Sequence, residues 1–74
     1  MWIVGNGRMT MVNTEKLSSI SIMPFLDQFD LVAFQKSEDD GEILCKYNSL
    51  EEAGAEMERI QNSLREEKKV HWCE

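Results

Sequence analysis

The stretch Gly41–Leu64 constrains this chain most, because a strand there runs straight into a capped helix. In Gly41-Glu42-Ile43-Leu44-Cys45-Lys46-Tyr47, Ile43, Cys45 and Tyr47 point one way and Glu42, Lys46 and Asn48 the other, the alternation of a half-buried strand. Leu44 interrupts the polar side, so that face is expected to be partly covered as well. Ser49-Leu50-Glu51-Glu52 follows as a capping box: the Ser49 hydroxyl can accept from the Glu52 amide, and the Glu52 carboxylate can reach back to the Ser49 amide. Leu50, Ala53, Met57, Ile60 and Leu64 then recur at steps of three and four and draw one apolar stripe. Glu51, Glu52, Glu56 and Glu58 come early and Arg59, Arg65, Lys68 and Lys69 late, in the order the helix dipole favours. The pattern predicts a helix from Leu50 to about Glu67, with Leu50, Met57, Ile60 and Leu64 buried and Glu51, Glu58 and Asn62 exposed.

Upstream, Trp2–Val4 and Met9–Val12 are short strand-like runs flanking Gly5-Asn6-Gly7-Arg8. Asn-Gly between such runs predicts a tight hairpin, since a type I′ turn needs positive φ at both central residues. The amides of this turn together with Arg8 offer a second reading as an anion cradle. Leu17–Met23 alternates, with Ile20 and Ile22 on one face and Ser19 and Ser21 on the other, and Pro24 either ends this strand or marks an edge. Phe25–Gln28 is a connection that sequence leaves open, one helical turn included. Phe29–Lys36 loads both faces with apolar groups and predicts a central strand, or one whose outer face meets another subunit. Ser37-Glu38-Asp39-Asp40-Gly41 reads as a hairpin loop, with Gly41 suited to positive φ.

These elements predict an α+β fold: one domain over residues 1–74, a small antiparallel β-meander of four or five strands with one C-terminal helix packed on one face. The strands fall at about 2–4, 9–12, 18–23, 29–36 and 42–47, the helix at about 50–67 and a tail at 68–74. A chain of 74 residues buries only about 60% of the surface it exposes unfolded, so a homo-oligomer is expected. Val70 and Trp72 share a face in an extended tail, and either the body of the domain or a second copy is expected to cover them; Trp2 or Phe34 is the other side of such a contact.

The formal charge is −6, and the segment Glu38–Glu58 holds eight acidic residues against Lys46 alone. That argues against direct binding of nucleic acid, which needs a basic footprint. The acidic surface either imitates nucleic acid or is a solvated helix face with a turn, and the second is the plainer account. Two cysteines cannot build the multi-bridge framework of a small secreted domain. Met1-Trp2-Ile3-Val4 passes at once into Gly5-Asn6-Gly7, unlike a secretory leader. A cytoplasmic chain with Cys45 and Cys73 reduced and unbridged is expected, with no membrane contact.

Met1-Trp2-Ile3 and Ile43-Leu44-Cys45-Lys46-Tyr47-Asn48-Ser49-Leu50-Glu51-Glu52-Ala53 resemble the ends of a group of short uncharacterised proteins of Gram-positive bacteria and their phages. Those proteins start Met-Trp-Ile/Val and close Leu-Gly-x-Tyr-x-Ser/Thr-x-Glu-x-Ala before a short helix ending Glu-Ile-Gln. Here Arg59-Ile60-Gln61 departs by one residue, Cys45 replaces the usual glycine, and the middle of the chain has no counterpart. The resemblance implies a fold and a genomic setting rather than an activity; in a phage setting it implies an antagonist of host defence that acts by binding.

Motifs for catalysis are missing. His71 is the single histidine, so neither a Ser/His/Asp nor a Cys/His set can be argued, and no phosphate-loop or dinucleotide fingerprint occurs. His71 and Cys73 could touch one metal, but a structural zinc site takes four ligands and Cys45 would have to come near; no metal and no cofactor are expected. Binding remains. Trp2 and Trp72 are aromatic anchors beyond the need of a small core, and Arg8, Lys36 and Lys46 are the cations available to neutralise a phosphate. The expected function is therefore non-catalytic: an oligomer sequestering a small nucleotide-like ligand on Trp2, Arg8, Lys36, Lys46 and Trp72. The alternatives are an acidic inhibitor masking a host enzyme's nucleic-acid site and a structural accessory subunit.

Overall fold

A computed structural model describes residues 1–37 and 40–74. The elements are β1 (Trp2–Val4), β2 (Met11–Asn13), a 3-10 turn (Thr14–Lys16), β3 (Leu17–Phe25), β4 (Gln28–Gln35), β5 (Gly41–Tyr47), α1 (Leu50–Arg65) and β6 (Val70–Trp72). The class is α+β, but the strands do not form one meander. They form two three-stranded sheets, β3-β4-β5 and β2-β1-β6. The first is the antiparallel meander expected from the middle of the chain. The second is closed by the tail: residues 70–72 are a strand, parallel to β1, with Trp2 opposite Val70, Ile3 opposite His71 and Val4 opposite Trp72. Three residues between charged neighbours gave no period to read, and the partner strand lies at the other end of the sequence.

In the meander, β4 is central and buries Leu31, Val32 and Ala33. Pro24 lies inside β3, opposite Phe29, which an edge strand tolerates because its outer amides need no partner. Phe25 ends β3 and Gln28 begins β4, so the open connection is a two-residue turn with Leu26 at φ 54°. A register shift at Leu31/Val32 reverses the alternation of β5: Leu44 goes inside while Ile43 is exposed, the opposite of the simple pattern. Of the predicted loop Ser37–Gly41, Glu38 and Asp39 lie outside the described residues. Gly41 is not at positive φ; a Cβ there would strike Val32 and the Phe34 ring, so close packing explains the glycine.

The tight Asn6–Gly7 hairpin is also corrected. Val4 pairs with Met11, leaving a six-residue loop, and the positive φ belongs to Arg8 at 62°, not to a glycine. Two contacts to β5 account for this. A Cβ on Gly5 would run into the Leu44 carbonyl. The Asn6 amide donates to the Lys46 carbonyl at 2.8 Å and its Oδ1 accepts from the Lys46 amide at 3.3 Å. The loop is thus a bracket between the sheets.

Ser49 caps α1, its hydroxyl accepting from the Glu52 amide at 3.1 Å. The helix ends at Arg65, not near Glu67. The Lys68 amide donates to the Ser63 carbonyl and the Glu67 amide to the Leu64 carbonyl, a Schellman closure with Glu67 at φ 58° where glycine is usual. Glu51, Glu58 and Asn62 are exposed as expected, and Ile60 is buried. The buried stripe, however, is Ala53, Glu56, Ile60 and Ser63; Leu50 is 56% and Leu64 47% exposed, and Met57 is half-buried. The helix is turned so that Glu56 and Ser63 face inward beside Ala53 and Ile60, in place of Leu50 and Leu64.

Candidate functional site

The two faces of the β2-β1-β6 sheet hold different chemistry. Alternation puts Ile3, Val12 and His71 inward and Trp2, Met11, Val70 and Trp72 outward. On the outer face Trp72 is 61% and Trp2 44% exposed. They stand on adjacent strands two register positions apart. The Arg8 guanidinium carbon lies 5.2 Å from the Trp72 ring centroid, a cation–π contact. The left-handed backbone of Arg8, with its amide donating to the Gly5 carbonyl at 2.9 Å, aims the side chain across the strand ends.

Of the five residues singled out by sequence, the structure brings Arg8 and Trp72 into contact and sets Trp2 on their sheet face. Lys46 is tied through its backbone to Asn6, two residues before Arg8. Lys36 does not join them: it follows β4 in the other sheet, its amide donating to the Lys16 carbonyl.

The inner face carries what sequence reasoning missed. Glu56 is fully buried and collects hydrogen bonds from four residues. Oε1 accepts from the Tyr47 hydroxyl at 3.2 Å, from Arg59 at 2.9 Å and from the Glu74 amide at 2.8 Å; Oε2 lies 2.7 Å from His71 Nε2. The other imidazole nitrogen, Nδ1, is 2.6 Å from the buried Ser63 hydroxyl. An ionised Glu56 fixes the ring proton on Nε2, so Nδ1 accepts from Ser63. Burial works to raise the Glu56 pKa, but the bonds from Arg59, His71 and the Glu74 amide outweigh it and hold the carboxylate below its ordinary value.

Beside this network the two free cysteines meet, both buried. The neighbouring Cys73 holds the Cys45 thiol below its ordinary value, at about 7, against the opposing effect of burial. Cys73 is correspondingly raised, by Cys45 first and then by burial and the Glu56 charge. Tyr47 is raised by its burial and by Cys45. One ligand atom each of Glu56, His71 and Cys73 lie within 4.8 Å of one another. A legible signal existed for Glu56: positions 53, 56, 60 and 63 have helical spacing as regular as the stripe through Leu50 and Leu64.

The Ser63–His71–Glu56 chain has the composition of a hydrolytic triad, yet Ser63 is 4% exposed. Its hydroxyl is given to the imidazole Nδ1, and the side chain is nearly covered. No helix among the described residues is long and apolar enough to cross a membrane. A scan against protein-family models matched nothing, and searches of curated proteins and of solved structures likewise matched nothing, so any functional reading stands on these two faces alone.

Proposed function

We propose that this is a non-catalytic binding protein whose contact surface is the outer face of the β2-β1-β6 sheet. Its ligand is a small planar anion of the nucleotide class, stacked on Trp72 and Trp2 and held between two copies of the chain. The observation that carries this reading is Arg8 over the Trp72 ring at 5.2 Å. It is a fixed cation on an exposed aromatic plate in a chain of net charge −6.

A base has a π-face that stacks on tryptophan with about 1–3 kcal/mol per base. The guanidinium supplies the planar fork that suits phosphate. Met11 and Val70, exposed on the same face, supply apolar area for a second copy. In line with the resemblance of the chain's ends to short phage-linked proteins, binding would withdraw such a signal from a host defence.

The test is native mass spectrometry of the protein purified from its producing cell, beside a Trp72→Ala variant. The expected result is a dimer with a retained small mass, both lost in Trp72→Ala. A wild-type monomer with no retained mass contradicts the proposal. Capture of an enzyme on the acidic helix face would favour the inhibitor reading instead.

A further inference from the structure

We propose that Cys45, Cys73, His71 and Glu56 bind one zinc ion in the interior, between α1 and the two sheets. The site is independent of the outer face. Its groups come from four segments: Cys45 from β5, Glu56 from α1, His71 from β6 and Cys73 from just beyond it. All four are buried.

Three of the four donor groups already stand close together. Zinc bonds of about 2.0–2.3 Å set neighbouring ligand atoms roughly 3.3–3.8 Å apart. Ligand atoms of Glu56, His71 and Cys73 already lie within 4.8 Å of one another; Cys45, the neighbour of Cys73, stands outside that set. The first three need only draw together, and the Cys45 side chain must move toward them to complete the set. Two sulfurs, an imidazole and a carboxylate select zinc over the hard cations magnesium and calcium.

The surroundings supply the remaining requirements. On binding, His71 Nε2 turns its lone pair to the metal and its proton moves to Nδ1, which donates to the Ser63 hydroxyl 2.6 Å away. The two thiols ionise and release their protons to solvent. Zn²⁺ with two thiolates, one carboxylate and a neutral imidazole leaves a single negative charge. Arg59, 2.9 Å from Glu56 Oε1, offsets it. Glu56 keeps its bonds from Arg59 and the Glu74 amide through Oε1 while Oε2 turns to the metal. A surface cleft lined by Arg59, Asn62, Ser63, His71 and Trp72 opens on the histidine and gives an approach.

The test is a Co²⁺ titration of metal-free full chain carrying no histidine tag, read by absorption and by X-ray absorption at the metal edge. The expected result is one Co²⁺ per chain, tetrahedral, with a thiolate charge-transfer band and two sulfur ligands, displaced by Zn²⁺. Cys45→Ser and Cys73→Ser should each remove about half of that band. Ser63→Ala should weaken the affinity by about ten-fold or more through the freed imidazole. If a variant does not fold, the sulfur count in wild type decides: two sulfurs support the site. No bound metal at micromolar Co²⁺, or a bound metal without sulfur, overturns it.

Discussion

The inner and outer faces of the β2-β1-β6 sheet are made by alternate residues of the same short strands, yet they invert the usual order. The inner face has a histidine on a buried carboxylate, and the outer face has both tryptophans. Area decides part of this, since a three-residue strand cannot bury an indole beneath a helix whose nearest groups are Glu56 and Ser63. Hydrogen bonding decides the rest. Once Glu56 is inside, each bond it accepts offsets desolvation, and the tail must enter to supply two of them, from His71 and the Glu74 amide. The inner face therefore specifies where the tail goes, and the outer face is left free for contact.

Breaking the inner face should have the largest effect. Glu56→Ala leaves His71, Tyr47 and Arg59 without their acceptor and should cost about 3–5 kcal/mol in urea unfolding of metal-free protein. The carboxylate's folded pKa lies below its ordinary value of 4.5. Its contribution is therefore present above that value and lost as pH falls through the lower folded pKa. Acid unfolding of wild type should steepen in that window, and Glu56→Gln should flatten it.

Next, Ile60→Ala should cost about 2–5 kcal/mol, against under about 1 kcal/mol for Leu64→Ala. Ile60 is 2% exposed and Leu64 47%, so equal losses in melting experiments would contradict the helix rotation described above.

Much of the frame was legible. The capped helix, the strands from Leu17 to Tyr47 and an edge role for Pro24 follow from period, cap and backbone chemistry acting over a few residues. What was not legible depends on contacts distant in sequence. Asn6 looked like half of a tight turn because its bonds to Lys46 lie forty positions away. Glu56 looked like a solvated helix acid because its partners are Tyr47, His71 and the Glu74 amide. Cys45 and Cys73 are unbridged in the structure, and their meeting depends on the tail strand. At the surface, Arg8, Trp2 and Trp72 were legible as unusual residue types; Lys36 was not separable from them without topology.

A smaller effect should come from the helix end. Glu67→Gly removes the cost of a side chain at φ 58° and should stabilise the protein by about 0.5–1 kcal/mol, read as a higher urea midpoint. The gain would reinforce the turn that delivers the tail to β1.

The smallest effect on folding is expected on the outer face, where the proposed function resides. A Trp2→Ala/Trp72→Ala double variant should be assayed for thermal unfolding and, in parallel, for mass and retained ligand by native mass spectrometry. A melting point within a few degrees of wild type, with the dimer and its small ligand both gone, is the predicted result. A collapse of the melting point like that of Glu56→Ala, or a dimer that keeps its ligand, would contradict the division between a face that folds the chain and a face that binds.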